Sequence, residues 1–354
     1  MPGLRTARRS KSDLLLEVLD DYQRCLIVMH DNPDPDAVAT GWAVHTLIVE
    51  KLGKPVRLVG GGGIVRAENR HMVELLQPPI ELLDEIRPEA GTAAVLVDCG
   101  LGTTNHVLTR AAIHPVAVID HHMNGTRGHR LPFRDIREKA AASASIAASY
   151  LREQRIEPGP KLASALLYAI RTETCGNETY HSRLDRSIIV WLTSRAEPSL
   201  LAEIENAPLS REYYGDLVLA MQSTFLYGDV AFCLLPRASG AEIVGEVADM
   251  LIRCQGVRRV LCGAVVGDAV LLSLRTSKDG EHATRLLQKT LDGLGGGGGH
   301  SHRAGGKIPV AGSRGGKVGD DLENVLRTRW LSACGIERQR GTRLVAKREI
   351  VENL

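Results

Sequence analysis

Three short apolar runs constrain this chain more than any other feature: CLIVM at 25–29, AAVLV at 93–97 and VAVI at 116–119. Each is rich in Val, Ile and Leu and too short for a buried helix, so each reads as a strand buried on both faces. Helix-length stretches at 36–53 and 142–154 lie between and after them. This alternation predicts an α/β fold whose N-terminal part is a doubly wound, mainly parallel sheet. Residues 55–59 are expected to add a strand to the same sheet.

The three runs also end alike. The first is followed by His30-Asp31-Asn32-Pro33-Asp34-Pro35-Asp36, the second by Asp98 and the third by Asp120-His121-His122. In an open parallel sheet the ligand crevice lies outside the carboxyl ends of the strands, so these side chains are expected to converge. An Asp after a strand is commonly a helix cap, and Asp36 has that alternative for the helix that follows it. Three strand ends of this kind together predict a metal site. Carboxylates mixed with imidazole, with no thiolate at ligand spacing, favour Mn2+ or Mg2+ over structural zinc. One carboxylate shared by two ions is the arrangement suited to phosphoryl hydrolysis.

Composition narrows the partners. Lys plus Arg (44) and Asp plus Glu (42) nearly cancel in the 354 residues, leaving no global positive field for long duplex nucleic acid. An aromatic content of 4% argues against a stacking platform for single strands. The seven cysteines form no CxxC pair and read as reduced thiols. Behind the basic start MPGLRTARRSK, the apolar LLLEVL is interrupted by Glu17 and too short for a signal-peptide core or a membrane span. A cytoplasmic location without a membrane partner is the expectation.

The length suggests two domains. The first is expected over 1–196, followed by a polar connector at 197–224, a smaller mixed α/β domain at 225–315 and a helix-strand extension at 316–354. Within the smaller domain, strands are expected at 230–236, 259–266 and 269–275, with helices at 241–254 and 281–291. The extension reads as a helix at 320–334 and a strand at 342–348. No repeat of 20–50 residues is present.

HDNPDPDA, LVDCG, VIDHH and ALLYAIRTETCG resemble, in order and spacing, the four metal motifs of the DHH phosphoesterase superfamily, which includes RecJ-like exonucleases and NrnA-like oligoribonucleases. The resemblance spans roughly residues 20–190. It implies that His30 and Asp34 hold one metal, that Asp36, His121 and Glu173 hold a second, and that Asp98 bridges both. It also implies a catalytic group of His122, Asp98 and Asp120, with His122 on the phosphate and Asp120 orienting the imidazoles from behind. Glu173 departs from the pattern, since the family has an Asp there, one methylene shorter. Two Mn2+ ions per chain are implied, with Mg2+ or Co2+ able to serve.

Two other stretches carry candidate substrate residues. By composition, the tract 295–306 reads as a flexible linker or a His-rich metal tract. Together with Ser273-Leu274-Arg275-Thr276-Ser277 it resembles the RS and GGGH elements of the DHH-associated C-terminal domain, although Arg303 stands where Ala is usual. By that resemblance Gly298, Gly299, His300 and Gly305 approach the substrate backbone, and Arg275 grips a phosphate or carboxylate-like terminus bidentately. The glycines at 60–63 read either as a phosphate cradle or as a plain turn, with Arg66 and Asn69 as candidate substrate contacts. The expected function is that of an NrnA-like exonuclease on very short RNA that also removes phosphate from phosphoadenosine phosphate. Hydrolysis of a cyclic dinucleotide or its linear product is the alternative, and a catalytically inactive nucleotide sensor is the third reading. The partner is a short oligonucleotide or nucleotide, and a homodimer stays open.

Overall fold

The computed structural model describes residues 9–64, 66–87, 89–100, 102–111, 113–122, 130–174, 182–277, 280–299, 301–309, 320–337 and 340–345. The chain divides into two compact units, Met1–Ala207 and Pro208–Leu354.

The first unit runs α1 (Lys11–Asp20), β1 (Arg24–Val28), α2 (Pro35–Leu52), β2 (Val56–Gly60), α3 (Ala67–Leu76), β3 (Ile80–Leu82), β4 (Thr92–Val97), α4 (Val107–Ala111), β5 (Ala117–Asp120) and β6 (Phe133–Ile136). Four helices follow: α5 (Ser143–Glu153), α6 (Pro160–Glu173), α7 (Arg183–Thr193) and α8 (Pro198–Glu205). The sheet has the order β3-β2-β1-β4-β5-β6, with every neighbouring pair parallel. Alternate residues of the central strands feed two cores. Cys25, Ile27, Val95, Val97 and Ile119 face the layer formed with α2, α5 and α6, while Leu26, Val28, Val59, Leu96 and Val118 face a thinner cover that includes Val107 and Leu108. Burial on both faces is what makes these strands continuous apolar runs. The chain reverses its progress across the sheet between β1 and β4, so a crevice opens at the carboxyl ends of those two strands. Both lead directly into the acidic motifs.

The cap of α2 is Asp34 and not Asp36. Its Oδ1 accepts the Ala37 N–H at 3.0 Å, Pro35 fills the first helical turn, and Gly53 closes the helix at φ 61°. Asp36, two residues further on, is buried and turned to other work.

The second unit runs α9 (Arg211–Ser223), β7 (Phe225–Tyr227), β8 (Val230–Leu235), α10 (Glu242–Leu251), β9 (Arg259–Val266), β10 (Ala269–Thr276), α11 (Ala283–Leu291), β11 (Gly296–Gly299), β12 (Arg303–Pro309), α12 (Asp320–Ala333) and β13 (Thr342–Arg343). Its sheet has the order β11-β12-β10-β9-β8-β7-β13, parallel between β8 and β9 and antiparallel elsewhere. The stretch 197–224, expected as a connector, is helical on both sides of the unit boundary, as α8 and α9. The helix of the C-terminal extension belongs to the second core, where Leu326 and Trp330 are buried and the Trp330 indole donates to the Ala231 carbonyl at 3.1 Å.

The glycine tract is a strand, which overturns its reading as a linker. β11 pairs with β12 from Gly296 opposite Lys307 to Gly299 opposite Ala304. A Cβ on Gly297 would lie 2.8 Å from Leu287 Cδ2, and one on Gly306 would lie 2.6 Å from Leu291 Cδ1. Helix α11 thus packs directly on bare backbone, and only glycine allows that approach.

Candidate metal centre

The carboxyl ends of β1, β4 and β5 bring six of the expected residues together. His30 Nε2 lies 3.8 Å from Asp34 Oδ1 and 3.7 Å from Asp98 Oδ2. His121 Nε2 lies 3.6 Å from Asp98 Oδ1 and 3.7 Å from Asp36 Oδ2. The two oxygens of Asp98 therefore face two separate donor sets. Among the described residues, the donor atoms of His30, Asp34 and Asp98 form one compact group, and those of Asp98, His121 and His122 another. These spacings are too long for hydrogen bonds. Donors about 2.1 Å from a common ion stand about 3 to 3.5 Å apart, so a modest inward movement makes each set a coordination shell. The residues fit a pair of divalent cations.

Asp98 is held in the left-handed region at φ 53°, where Asp is tolerated better than most residues. Its own N–H donates to the Ile119 carbonyl at 2.9 Å, which ties the end of β4 to β5. Backbone strain at such a point is characteristic of a functional position.

The electrostatics describe a site short of positive charge. Burial pushes the Asp98 carboxyl well above the usual carboxylate range, and the nearby Asp34 charge adds to it. Asp36 is likewise raised, by burial and then by Asp98 and Asp34. Burial works against a charged His30, but Asp34 and Asp98 outweigh it and lift the imidazole to about 10. Asp34, beside that imidazolium, is drawn down to about 2 despite burial. Buried carboxylates crowded in this way call for a cation.

Asp120 sits behind the two imidazoles. Its Oδ1 accepts the His121 N–H at 2.8 Å, the His122 N–H at 3.1 Å and the His122 ring at Nδ1, 2.8 Å away. Burial disfavours charge on His122, yet the Asp120 hydrogen bond and charge raise its pKa above the ordinary value. His121 Nδ1 lies 3.3 Å from the Ala140 carbonyl. A carbonyl only accepts, so Nδ1 carries the hydrogen and Nε2 offers its lone pair toward Asp36 and Asp98.

Three contacts went unread in the sequence. Ser143 Oγ donates to Asp98 Oδ1 at 2.8 Å, and the N–H groups of Ser143 and Ala144 donate to Asp36 at 2.8 and 2.7 Å. The helix start near Ala142 was legible; that its first amides face a carboxylate 107 residues earlier was not.

Other expected residues are placed differently. Glu173 ends α6 and falls in neither compact donor group, although its charge contributes to raising His122. The glycines at 60–63 pack against the first acidic loop: the Asn32 N–H donates to the Gly61 carbonyl at 2.9 Å, and Asn32 Oδ1 accepts the Gly63 N–H at 3.1 Å. Gly62 has φ 68°, as a tight turn requires. Arg66 occupies the position before α3 without a side-chain cap bond, and Asn69 is buried in the first turns of that helix. Arg275 is not the free bidentate fork expected. Its Nε and Nη2 donate to the two oxygens of Asp249 at 2.6 and 3.3 Å, and Nη1 donates to Ser273 Oγ and the Leu274 carbonyl at 2.7 and 3.1 Å. Four hydrogen bonds already engage a group with five N–H donors. Gly298 and Gly305 leave a Cβ position open or in ordinary contact, whereas Gly299, at φ 154°, is crowded by Arg303 and Ala304. His300 lies outside the described residues.

Residues 24–170 match the DHH family, N-terminal domain. That stretch carries the acidic and imidazole motifs, and over it the chain is similar to the DHH phosphoesterases. The chain is similar to the uncharacterized protein MJ1633 of Methanocaldococcus jannaschii, at 30% identity over 321 residues. The match covers 89% of this chain but 65% of that relative, so the chain spans about two thirds of its length. The fold is that of an exopolyphosphatase-related protein from Bacteroides fragilis, with a TM-score of 0.70 at 15% identity over 94% of this chain and 100% of that one. A pGpG-specific phosphodiesterase from Vibrio cholerae, PggH, superposes with a TM-score of 0.43 at 10% identity, over 89% and 99% of the two chains. Among the described residues, no helix is long and apolar enough to cross a membrane.

Proposed function

We propose that this chain hydrolyses a phosphate ester of a short nucleotide using two Mn2+ ions, with Mg2+ or Co2+ able to replace them. The observation that carries this reading is Asp98, whose two oxygens face separate donor sets. His30, Asp34 and Asp98 Oδ2 would hold the first ion; Asp36, Asp98 Oδ1, His121 and Glu173 would hold the second. Such a pair, when bound, activates water and neutralises charge on the phosphoryl oxygens.

The protein's own residues do the rest. His122, anchored through Nδ1 by Asp120, presents Nε2 to a phosphate oxygen. Its raised pKa keeps it cationic further toward neutral pH, so it holds the anion and can supply a proton to the departing oxygen. In the second unit, Gly298, Gly299, His300, Gly305 and Arg275 are our proposed substrate contacts on the strength of the motif resemblance, and at Gly298 a ligand would meet bare backbone. A near-neutral net charge favours a mononucleotide or very short RNA over a long polymer.

The test is a substrate panel with Mn2+: a 5′-phosphorylated RNA dinucleotide, phosphoadenosine phosphate, a cyclic dinucleotide and a long single-stranded DNA. The dinucleotide and phosphoadenosine phosphate are expected to turn over fastest. Equal rates on the long strand would refute the short-substrate reading, and no hydrolysis of any, with metal bound, would favour the nucleotide sensor.

A further inference from the structure

The segment between β6 and the first turn of α5 touches every ligand assigned to the second ion from the β1, β4 and β5 ends. The Ala140 carbonyl orients His121 through Nδ1. Ser143 Oγ fixes Asp98 Oδ1, the oxygen on the His121 side. The Ser143 and Ala144 N–H groups take one oxygen of Asp36 each. By contrast, on the His30 side the donor to Asp34 Oδ1 comes from elsewhere, the Ala37 N–H at the start of α2. The segment is itself anchored. Asp185, fully buried at the start of α7, accepts the Ala141 N–H at 3.1 Å while also taking the Ser182 N–H and hydroxyl at 2.7 and 2.6 Å.

We propose that residues 140–144 are the frame of the second metal site, with Ser143 its central positioning residue, and that they set the affinity of that ion independently of the first. This rests on the two-metal reading above. The physical reason is preorganisation. Asp36 and Asp98 are buried carboxylates that repel one another, and without donors they would swing apart or take up protons. Two amides at a helix start, where the dipole favours negative charge, together with one hydroxyl, hold them in ligand geometry before any cation arrives. Ser143 does not bind the ion. It decides where the ion's ligands stand.

The experiment is a Mn2+ titration of chelator-treated full-length protein by isothermal calorimetry, with the chelator-treated form checked for folding by circular dichroism. Ser143→Ala removes the hydroxyl and keeps the amide; the weaker of two binding events is expected to lose about 10- to 100-fold in affinity, with the tighter one unchanged. Ser143→Thr should restore it. Ser143→Pro removes both amide and hydroxyl at a first-turn position where proline suits the helix, and Ala142 already has the extended backbone a following proline needs, at φ −144° and ψ 147°. That variant is expected to bind a single ion. Unchanged affinity for both ions in Ser143→Ala and Ser143→Pro, or equal loss at both, would overturn the inference while leaving two-metal binding intact. A wild-type protein that takes one ion would overturn the reading beneath it.

Discussion

Replacing Asp98 with Asn separates what this residue does for catalysis from what it costs the fold. Asn preserves the shape, tolerates the left-handed backbone at φ 53°, and can still accept from Ser143 at its remaining oxygen. It cannot offer anionic oxygens to both donor sets. With one bridging ligand lost, the barrier should rise by at least about 4 kcal/mol, roughly a thousandfold in rate. Stability should move the other way. The Asp98 carboxyl is pushed up in the folded state, so the metal-free fold loses stability as pH rises from the unfolded carboxylate range to the folded one, and at neutral pH that penalty is present. Asn removes it, so the metal-free variant is expected to melt above the wild type. Steady-state rates with Mn2+ and thermal melts in EDTA measure the two effects. A variant keeping more than about a tenth of the wild-type rate, a deficit of only about 1.4 kcal/mol, would refute the bridge. A lower melting temperature in EDTA would refute the electrostatic argument.

Glu173→Gln is expected to weaken one ion and leave the ion at His30 and Asp34 in place; unchanged binding of both would remove Glu173 from the site. Asp120→Asn should move the alkaline limb of the pH–rate profile to lower pH, because burial then acts on His122 with only the smaller pull of Asp36 and Glu173 against it, and a limb that does not move would show that His122 is not the acid. Gly297→Ala should destabilise the second unit by about 1 to 3 kcal/mol, since its Cβ would strike the Gly305 carbonyl oxygen of β12 as well as Leu287, whereas Gly298→Ala should melt like wild type and raise KM. Equal melting shifts for the two would contradict the packing account.

The central strands were legible because burial on both faces writes a continuous apolar run, and the cluster of carboxylates and imidazoles was legible because its members follow those runs. Strands without such a signature were not. β3 is three residues containing Glu81, and β11 is four glycines whose strand conformation comes from pairing with β12 under α11. Long-range partners were equally hidden: no local pattern says that Ser143 meets Asp36 and Asp98, or that Asp249 occupies the guanidinium of Arg275. Glycine and serine carry little information in isolation, and here their meaning lies in what approaches them.

Anomalous diffraction at the manganese edge, from crystals grown with saturating Mn2+, tests the central claim most directly. Two peaks about 3.5 to 4 Å apart are expected, one beside His30 and Asp34 and the other beside His121 and Asp36, with Asp98 between them. A single peak, or two that do not share Asp98, would contradict it.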